Sequence, residues 1–164
     1  MKKISYLFIS LILLINISAC AGYKPIFGSS NLKFKIADYS IIGDKKLGNK
    51  IYSKLYNLTQ STKNTSEVKN IFILINVSKD KNATTKNTSG KTLAYKLQLS
   101  TAVTVKDFMT NNEILNENFV SSSSYKVQDQ HSDTIKLEDR TIENLLNKTY
   151  QDLLIIMSKN MSTE

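Results

Sequence analysis

Residues 93–105, with the sequence LAYKLQLSTAVTV, decide the fold of this chain because they alternate in side-chain character over thirteen positions. A period of two residues predicts a β-strand with one buried face and one wet face. The buried face carries Leu93, Tyr95, Leu97, Leu99, Thr101, Val103 and Val105, and the other face carries Lys96, Gln98, Ser100, Thr104 and Lys106. This is the strongest strand pattern in the sequence, and the other elements are placed relative to it.

The sequence on both sides of this strand predicts further strands. Asn111 and Asn112 are typical of a turn, and the segment beyond them predicts a long strand that completes a hairpin. Its apolar face carries Leu115, Phe119, Tyr125 and Val127. Upstream, residues 79–90 are mostly Lys, Asn, Thr and Ser and predict a loop. Residues 71–78 before that loop are apolar on both faces, which indicates a largely buried strand.

Two helices and one more strand complete the expected order. Residues 32–41 begin with alternating apolar residues and lysines and predict a first strand. Leu47, Ile51, Leu55 and Leu58 share one helical face, and a last helix begins at Ser132 or Asp133. Its apolar positions are Ile142, Leu145, Leu146, Thr149, Leu153 and Ile156. The order β-α-β-β-β-α predicts an α+β fold, with two helices on one face of a four-stranded mixed or antiparallel sheet.

The composition suits one domain and disfavours catalysis. The chain has 164 residues, of which 41% are hydrophobic and 22% are charged. A single cysteine excludes an internal disulfide and a four-cysteine zinc site, and a single histidine leaves little for metal or nucleophilic chemistry. We therefore expect no enzyme, no catalytic residue, no metal site and no cofactor other than covalent lipid.

The N-terminus has the pattern of an export signal. Lys2 and Lys3 precede an apolar run of 14 residues, 4–17, which is shorter than the roughly 20 residues that span a bilayer. The following Ile17-Ser18-Ala19-Cys20 resembles the lipobox of bacterial lipoproteins. That resemblance implies cleavage before Cys20, a diacylglycerol on its thiol and an acyl chain on the new amino group. An ordinary secretory signal with a chance cysteine is the alternative.

The expected domain boundaries follow from this assignment. Residues 1–19 form the signal peptide, residues 20–31 a lipidated tether that contains the only proline, and residues 32–160 a single α+β domain. Two or more acyl chains would hold the protein stably at a membrane. The net charge of +8 becomes +6 in the mature chain, because Lys2 and Lys3 leave with the signal.

The mature chain resembles the LptE family of outer-membrane lipoproteins. The segment GYKPIFG at 22–28 is similar to one that alphaproteobacterial members carry next to their lipidated cysteine. The order of elements over residues 32–158 matches the family. Lys86-Asn87 and the GKTLAY segment at 90–95 resemble a family pattern at the hairpin before the long strand.

The resemblance implies a function without catalysis. LptE-like proteins plug the lumen of the LptD barrel, assist its assembly and bind lipopolysaccharide, so both are expected partners of this chain. Lys86 and Lys91 take the basic role at the hairpin, and Lys136 lies nearest to a second basic site before the last helix. Ala21, rather than aspartate, implies sorting to the outer membrane, with the domain on the periplasmic side.

Several alternative interpretations of these residues and of the function remain open. Tyr52 and Tyr56 lie one turn apart on the first helix and either contact the barrel or flank the core. The lysine excess is also what an AT-rich genome would produce. Another outer-membrane lipoprotein, acting as an accessory subunit of a different envelope complex, is the alternative function. A periplasmic hydrolase would use His131 as a base, and export disfavours nucleic acid as a partner.

Overall fold

A computed structural model describes residues 34–60 and 68–161. The expected signal peptide at 1–19, the tether at 20–31 and the lipidation site Cys20 lie outside the described residues. The elements are β1 (Phe34–Gly43), α1 (Lys45–Gln60), β2 (Lys69–Lys86), β3 (Thr92–Asp107), β4 (Glu113–Lys126) and α2 (His131–Met161). The predicted order β-α-β-β-β-α is confirmed, and the fold is α+β.

The four strands form one mixed sheet in the order β1-β2-β3-β4. Strand β1 runs parallel to β2 because helix α1 connects them as a crossover, whereas β2, β3 and β4 are successive antiparallel hairpins. The two helices contact each other through Lys50, whose ammonium pairs with Glu143, and Lys54, which donates to Asn147. These contacts hold α1 and α2 side by side over one face of the sheet.

The core lies between that face and the helices. The predicted alternation on β3 is confirmed from Leu97 to Val105, since every second side chain there is buried. Leu93, which we predicted on the buried face, is 41% exposed because it lies beyond the part of the sheet that the helices cover. The fully buried partners of β3 are Ile71, Ile73, Ile75 and Val77 on β2, Ile51 and Leu55 on α1, and Leu146 and Leu153 on α2.

The predicted loop at 79–90 is wrong. Strand β2 continues through this segment to Lys86, paired with β3, and the turn occupies only residues 87–91. Backbone groups of an antiparallel pair bond to each other whatever their side chains are. Both faces of β2 are exposed from Ser78 onward, so the segment shows no hydrophobic alternation from which a strand could be recognised.

The first strand, predicted at 32–41, extends past its predicted end, and residues 32 and 33 lie outside the described residues. It ends at Gly43, and its pairing with β2 skips Ala37, which is a β-bulge. The bulge shifts the alternation by one residue, so that Tyr39 rather than Asp38 stands opposite the buried Ile73 and faces α1. In the last helix, Met157 is fully buried and Ile156 packs only partly against the core.

The sheet has two ends that differ in character. We call the end with the β2–β3 turn, residues 87–91, the tip, and the end with the β3–β4 turn, residues 108–112, the base. Strands β1 and β2 both begin at the base, where Phe34 pairs with Lys69. Helix α2 starts beside the tip and ends at the base, where Asn160 and Lys69 line the same depression. Neither described helix combines the length and apolarity that a membrane span requires.

Candidate functional site at the basic tip

The turn at the tip is held by Asn87 and Gly90. The Asn87 side-chain oxygen accepts hydrogen bonds from the backbone N–H groups of Ser89 at 3.1 Å and Lys91 at 2.8 Å. The backbone N–H of Gly90 donates to the Asn87 carbonyl at 3.0 Å, and Gly90 has a φ of +80°, which suits glycine. These contacts fix the backbone on which Lys86 and Lys91 are placed.

The tip carries a local excess of positive charge. Residues 79–96 contain five lysines and one aspartate. Lys86 ends β2 and Lys91 lies in the turn, and both side chains are exposed. The structure places Lys86 and Lys91, the two lysines that the resemblance singles out, on the two sides of one fixed turn. Ammonium groups in such an arrangement can attract phosphate or other anionic groups.

A four-residue cluster connects the hairpin behind the tip to helix α2. The ammonium of Lys81 lies 4.4 Å from the ring centre of Tyr95 and 5.8 Å from that of Tyr125, within cation–π range. Glu138 on α2 accepts a hydrogen bond from Lys81 and another from the Tyr125 hydroxyl at 2.7 Å. Lys81 is therefore engaged within the protein and is less available to a ligand than Lys86 or Lys91.

The pKa values of this cluster reflect its contacts. Burial acts to raise the pKa of Glu138, but hydrogen bonds from Lys81 and Tyr125 outweigh it and hold the pKa below its ordinary value. The hydrogen bond to Glu138 raises the pKa of Lys81 despite the opposite effect of burial. Burial and the bond to Glu138 raise the pKa of Tyr125. The cluster is thus a charged pair at neutral pH with a protonated phenol.

This cluster was not predicted from the sequence. Tyr95 and Tyr125 are directly opposite each other in the β3–β4 register, with ring centres 5.8 Å apart, and the two predicted apolar faces could have paired them. Lys81 fell in the predicted loop, and Glu138 is 57 residues away from it in the chain. Only the tertiary packing of α2 on the sheet brings these two together.

Lys136 lies inside the last helix rather than before it. Its ammonium is 3.2 Å from the Asp133 carboxylate, and its side chain is 74% exposed. It lines a shallow cavity of about 250 Å³ together with Gln128, Asp133, Leu137 and Arg140. The resemblance places a basic site ahead of the helix, but the helix begins at His131, one residue before the predicted start at Ser132, so Lys136 lies in its second turn. Lys136 and the hairpin lysines share one end of the molecule, and Lys136 pairs with Asp133.

Tyr52 and Tyr56 belong to a row of three aromatic rings. Tyr52 stacks on Tyr39 of β1 with ring centres 3.9 Å apart, and Tyr56 lies 5.8 Å from Tyr52. Tyr52 packs partly against the core, whereas Tyr56 is 42% exposed. The row therefore combines a core-flanking residue with a surface residue, and the two tyrosines do not have the same surroundings.

His131, which would be the base in the hypothesis of a periplasmic hydrolase, is exposed at the first position of α2. Within residues 34–60 and 68–161, no three histidine, aspartate or glutamate side chains converge as metal ligands.

Comparison with known proteins places the fold among bacterial lipoproteins. No family model matches the chain. No curated protein is significantly similar to it in sequence. Among solved structures, the chain is similar to lipoprotein B of Nitrosomonas europaea, an uncharacterized protein, with 17% identity, 87% of this chain and 94% of that chain covered, and a TM-score of 0.62.

Two further solved structures have the same fold. A candidate lipoprotein of Caulobacter crescentus has 12% identity, a TM-score of 0.56, and coverage of 83% of this chain and 96% of that chain. A minor lipoprotein of Acinetobacter baumannii has 11% identity, a TM-score of 0.52, and coverage of 80% and 96%. At these identities the similarity establishes the fold.

Proposed function

We propose that this protein is a lipid-anchored lipoprotein of the outer membrane that acts as the LptE-like partner of an LptD-type β-barrel in lipopolysaccharide assembly. The observation that carries the proposal is the combination of a lipobox at the single cysteine, Cys20, with a domain whose fold is shared with bacterial lipoproteins. The proposed role involves no catalysis, and its covalently bound groups are the acyl chains on Cys20.

The uncovered face of the sheet supports a plug role. Both described helices lie on the opposite face, and the uncovered face of the β3–β4 hairpin is built largely from small polar side chains, including Ser100, Thr104, Asn116, Asn118, Ser122 and Ser124. The lumen of a membrane β-barrel is polar as well. The polar side chains of this hairpin face, which Val120 interrupts at 58% exposure, can therefore lie against a lumen wall through hydrogen bonds and water.

The tip supports an interaction with lipopolysaccharide. The lipid A part of that molecule carries phosphates, and Lys86 and Lys91 present two exposed ammonium groups on a turn that Asn87 holds in place. The cluster around Lys81 attaches the hairpin to α2. The turn that carries Lys86 and Lys91 is therefore part of a hairpin that is held against the helix. Lys136, near the start of α2, would also contribute to the binding of lipopolysaccharide.

An accessory subunit of a different envelope complex is the alternative, since the same fold and anchor would serve it equally. The two functions differ in the partner: an LptE-like protein co-purifies with one large barrel, and another accessory subunit does not.

Two measurements test the proposal at the level of single residues. Mass spectrometry of the protein isolated from its native membrane should find a chain that begins at Cys20 and carries acyl groups, and an unmodified Cys20 would refute the anchor.

Binding of lipid A to the protein should be lost in Lys86→Glu and Lys91→Glu but kept in Lys148→Glu, an equal charge change at an exposed position of α2. Equal losses in all three, or complete loss in high salt, would reduce the effect to surface charge.

A further inference from the structure

Three stretches of sheet edge have no neighbouring strand in the part of the chain that the structure describes. Strand β1 is one outer strand and β4 is the other, and β2 has no partner on the β1 side beyond Val77. A free edge presents unpaired N–H and C=O groups, which can pair with another chain. Natural proteins therefore block their edges with bulges, prolines or charged side chains, lysines above all. The three edges of this sheet differ in how far they are blocked.

Two of the three edges carry such blocking features. The bulge at Ala37 interrupts β1, and the Asp38 carboxylate accepts a hydrogen bond from the backbone N–H of Tyr39 at 2.8 Å. The outer half of β2, residues 78–86, contains three lysines, and its pairing with β3 is irregular at two places near Lys86. Both edges are therefore poor templates for a further strand.

The edge of β4 lacks these features. Residues 115–125 pair with β3 without an irregularity, and they contain no proline, glycine or lysine. Among the described residues, the backbone of 115–125 hydrogen-bonds to β3 alone. Every second residue of an antiparallel strand directs its N–H and C=O groups away from the neighbouring strand. About half of the backbone groups in this segment are therefore open to a partner strand.

The side chains along this edge permit close approach and favour one kind of partner. Residues 121–124 are four small serines, and Val120 is 58% exposed on the uncovered face of the sheet. Glu117, on the other face, is the only charged residue of 115–125, and it is exposed without an ion pair in residues 34–60 and 68–161. An added strand with a basic residue opposite Glu117 and an apolar residue opposite Val120 would be complementary on both faces.

We propose that the free edge of β4 is a strand-addition site, at which an extended segment of the barrel partner becomes the fifth strand of this sheet. The identity of the partner rests on the proposed function, whereas the site rests on the edge itself. The strands of a closed barrel have no free edge, so the added segment is a loop or terminal segment of that partner. Main-chain hydrogen bonds supply the affinity, and Glu117 and Val120 select the segment. This contact adds to that of the uncovered face, because it uses the backbone of β4.

Hydrogen–deuterium exchange of the full-length protein in detergent micelles tests the site with a defined probe. The probe is a synthetic peptide of about nine residues, built from threonine and valine, with one lysine placed so that a valine follows three positions later. A matched peptide has glutamate in place of the lysine. In the free protein about half of the amides at 115–125 should exchange slowly, because only those bond to β3. The lysine peptide should make nearly all of them slow, while the amides of β1 keep their rates.

The preference between the two peptides tests the role of Glu117. The lysine peptide should bind the wild-type protein about fivefold more tightly than the glutamate peptide, and Glu117→Lys should reverse this order. No new protection in β4 with either peptide would overturn the site, and so would equal protection of β1. An unchanged order in Glu117→Lys would overturn the role of the carboxylate. Protection of β4 in the free protein that falls on dilution would show that a second copy, and not a partner, covers the edge.

The same measurement on the native complex tests the barrel as the source of the strand. Protein isolated from its native membrane together with a barrel should show slow exchange throughout 115–125. A barrel complex in which half of these amides still exchange rapidly would overturn the strand addition and leave the proposed function intact. If the peptide protects β4 but no barrel co-purifies, the proposed function fails, and the barrel is overturned as the donor of the strand.

Discussion

Tyr125 on β4 donates its hydroxyl to Glu138 on α2 at 2.7 Å, and Lys81 on β2 bonds to the same carboxylate. This carboxylate joins two strands of the hairpin region to the long helix. The Glu138 carboxylate lies outside the apolar core. It is on the part of α2 that packs against the sheet near the tip. The attachment of the hairpin to α2 should therefore depend in part on the charge of Glu138.

Glu138 should make the protein sensitive to acid. Its pKa is held below the ordinary value of 4.5 in the folded state, so the unfolded chain takes up a proton first as the pH falls. Its contribution to the free energy of unfolding is present above pH 4.5 and is lost as the pH falls through the lower folded pKa. Urea unfolding of Glu138→Gln should show a loss of about 1 kcal/mol at pH 7 and a shallower decline between about pH 5 and pH 3. An unchanged acid profile in the variant would assign the decline to other carboxylates.

Gly43 and Gly90 have similar backbone angles, with φ of 75° and 80°, but different surroundings. A Cβ at Gly43 would lie 2.1 Å from the carbonyl oxygen of Val77, whereas a Cβ at Gly90 meets nothing within 4 Å. Gly90→Ala should cost about 1 kcal/mol from the left-handed conformation alone. Gly43→Ala should cost about 3 kcal/mol or more, because the backbone of β2 must move. Thermal and urea unfolding measure both variants, and equal costs would contradict the close approach at Gly43.

Thr101 is fully buried on the core face of β3, and its hydroxyl has no hydrogen-bond partner among the described residues. Replacing the hydroxyl with a methyl group removes an unpaired polar atom without changing the shape of the side chain. Thr101→Val should raise the free energy of unfolding by about 1 kcal/mol. Thr104→Val is the matched control on the uncovered face, where the residue is partly exposed, and it should change little. Destabilisation by Thr101→Val would indicate that an ordered water satisfies the hydroxyl.

Mutation of Tyr52 and mutation of Tyr56 should have different effects on stability. Tyr52 stacks on Tyr39 and packs against the core, so Tyr52→Ala should lower the free energy of unfolding by about 2 kcal/mol. Tyr56 is 42% exposed, so Tyr56→Ala should leave the melting temperature nearly unchanged. If Tyr56 is a barrel contact, the variant should still weaken capture of the barrel. A stable Tyr56→Ala protein that captures the barrel normally would remove Tyr56 from the interface.

The sequence predicted the elements whose burial is one-sided. Residues 97–105 alternate because one face meets the helices and the other does not, and this pattern can be read directly. The outer half of β2 could not be predicted, because residues 78–86 are exposed on both faces and only backbone bonds to β3 make them a strand. The bulge at Ala37 could not be predicted either, since it depends on the pairing of β1 with β2.

The residues of the basic tip that were singled out before the structure are those that lie close together in the chain. Lys86, Asn87, Gly90 and Lys91 are close in the chain, and the turn that contains them keeps them together. The Lys81 and Glu138 pair spans 57 residues and depends on where α2 crosses the sheet. No local pattern carries that information, and the same is true of Tyr39, whose partner Tyr52 lies on a different element.

The most direct test of the proposed function is co-purification. The full-length protein is isolated from solubilised outer membranes of its native host, beside a Cys20→Ala copy, and the co-eluting proteins are identified. The LptE-like assignment predicts one large β-barrel protein in about equal amount with the wild-type chain, and a weaker yield or mislocalisation for Cys20→Ala. Recovery of the lipidated protein without any barrel, or with a different envelope complex, would contradict the assignment.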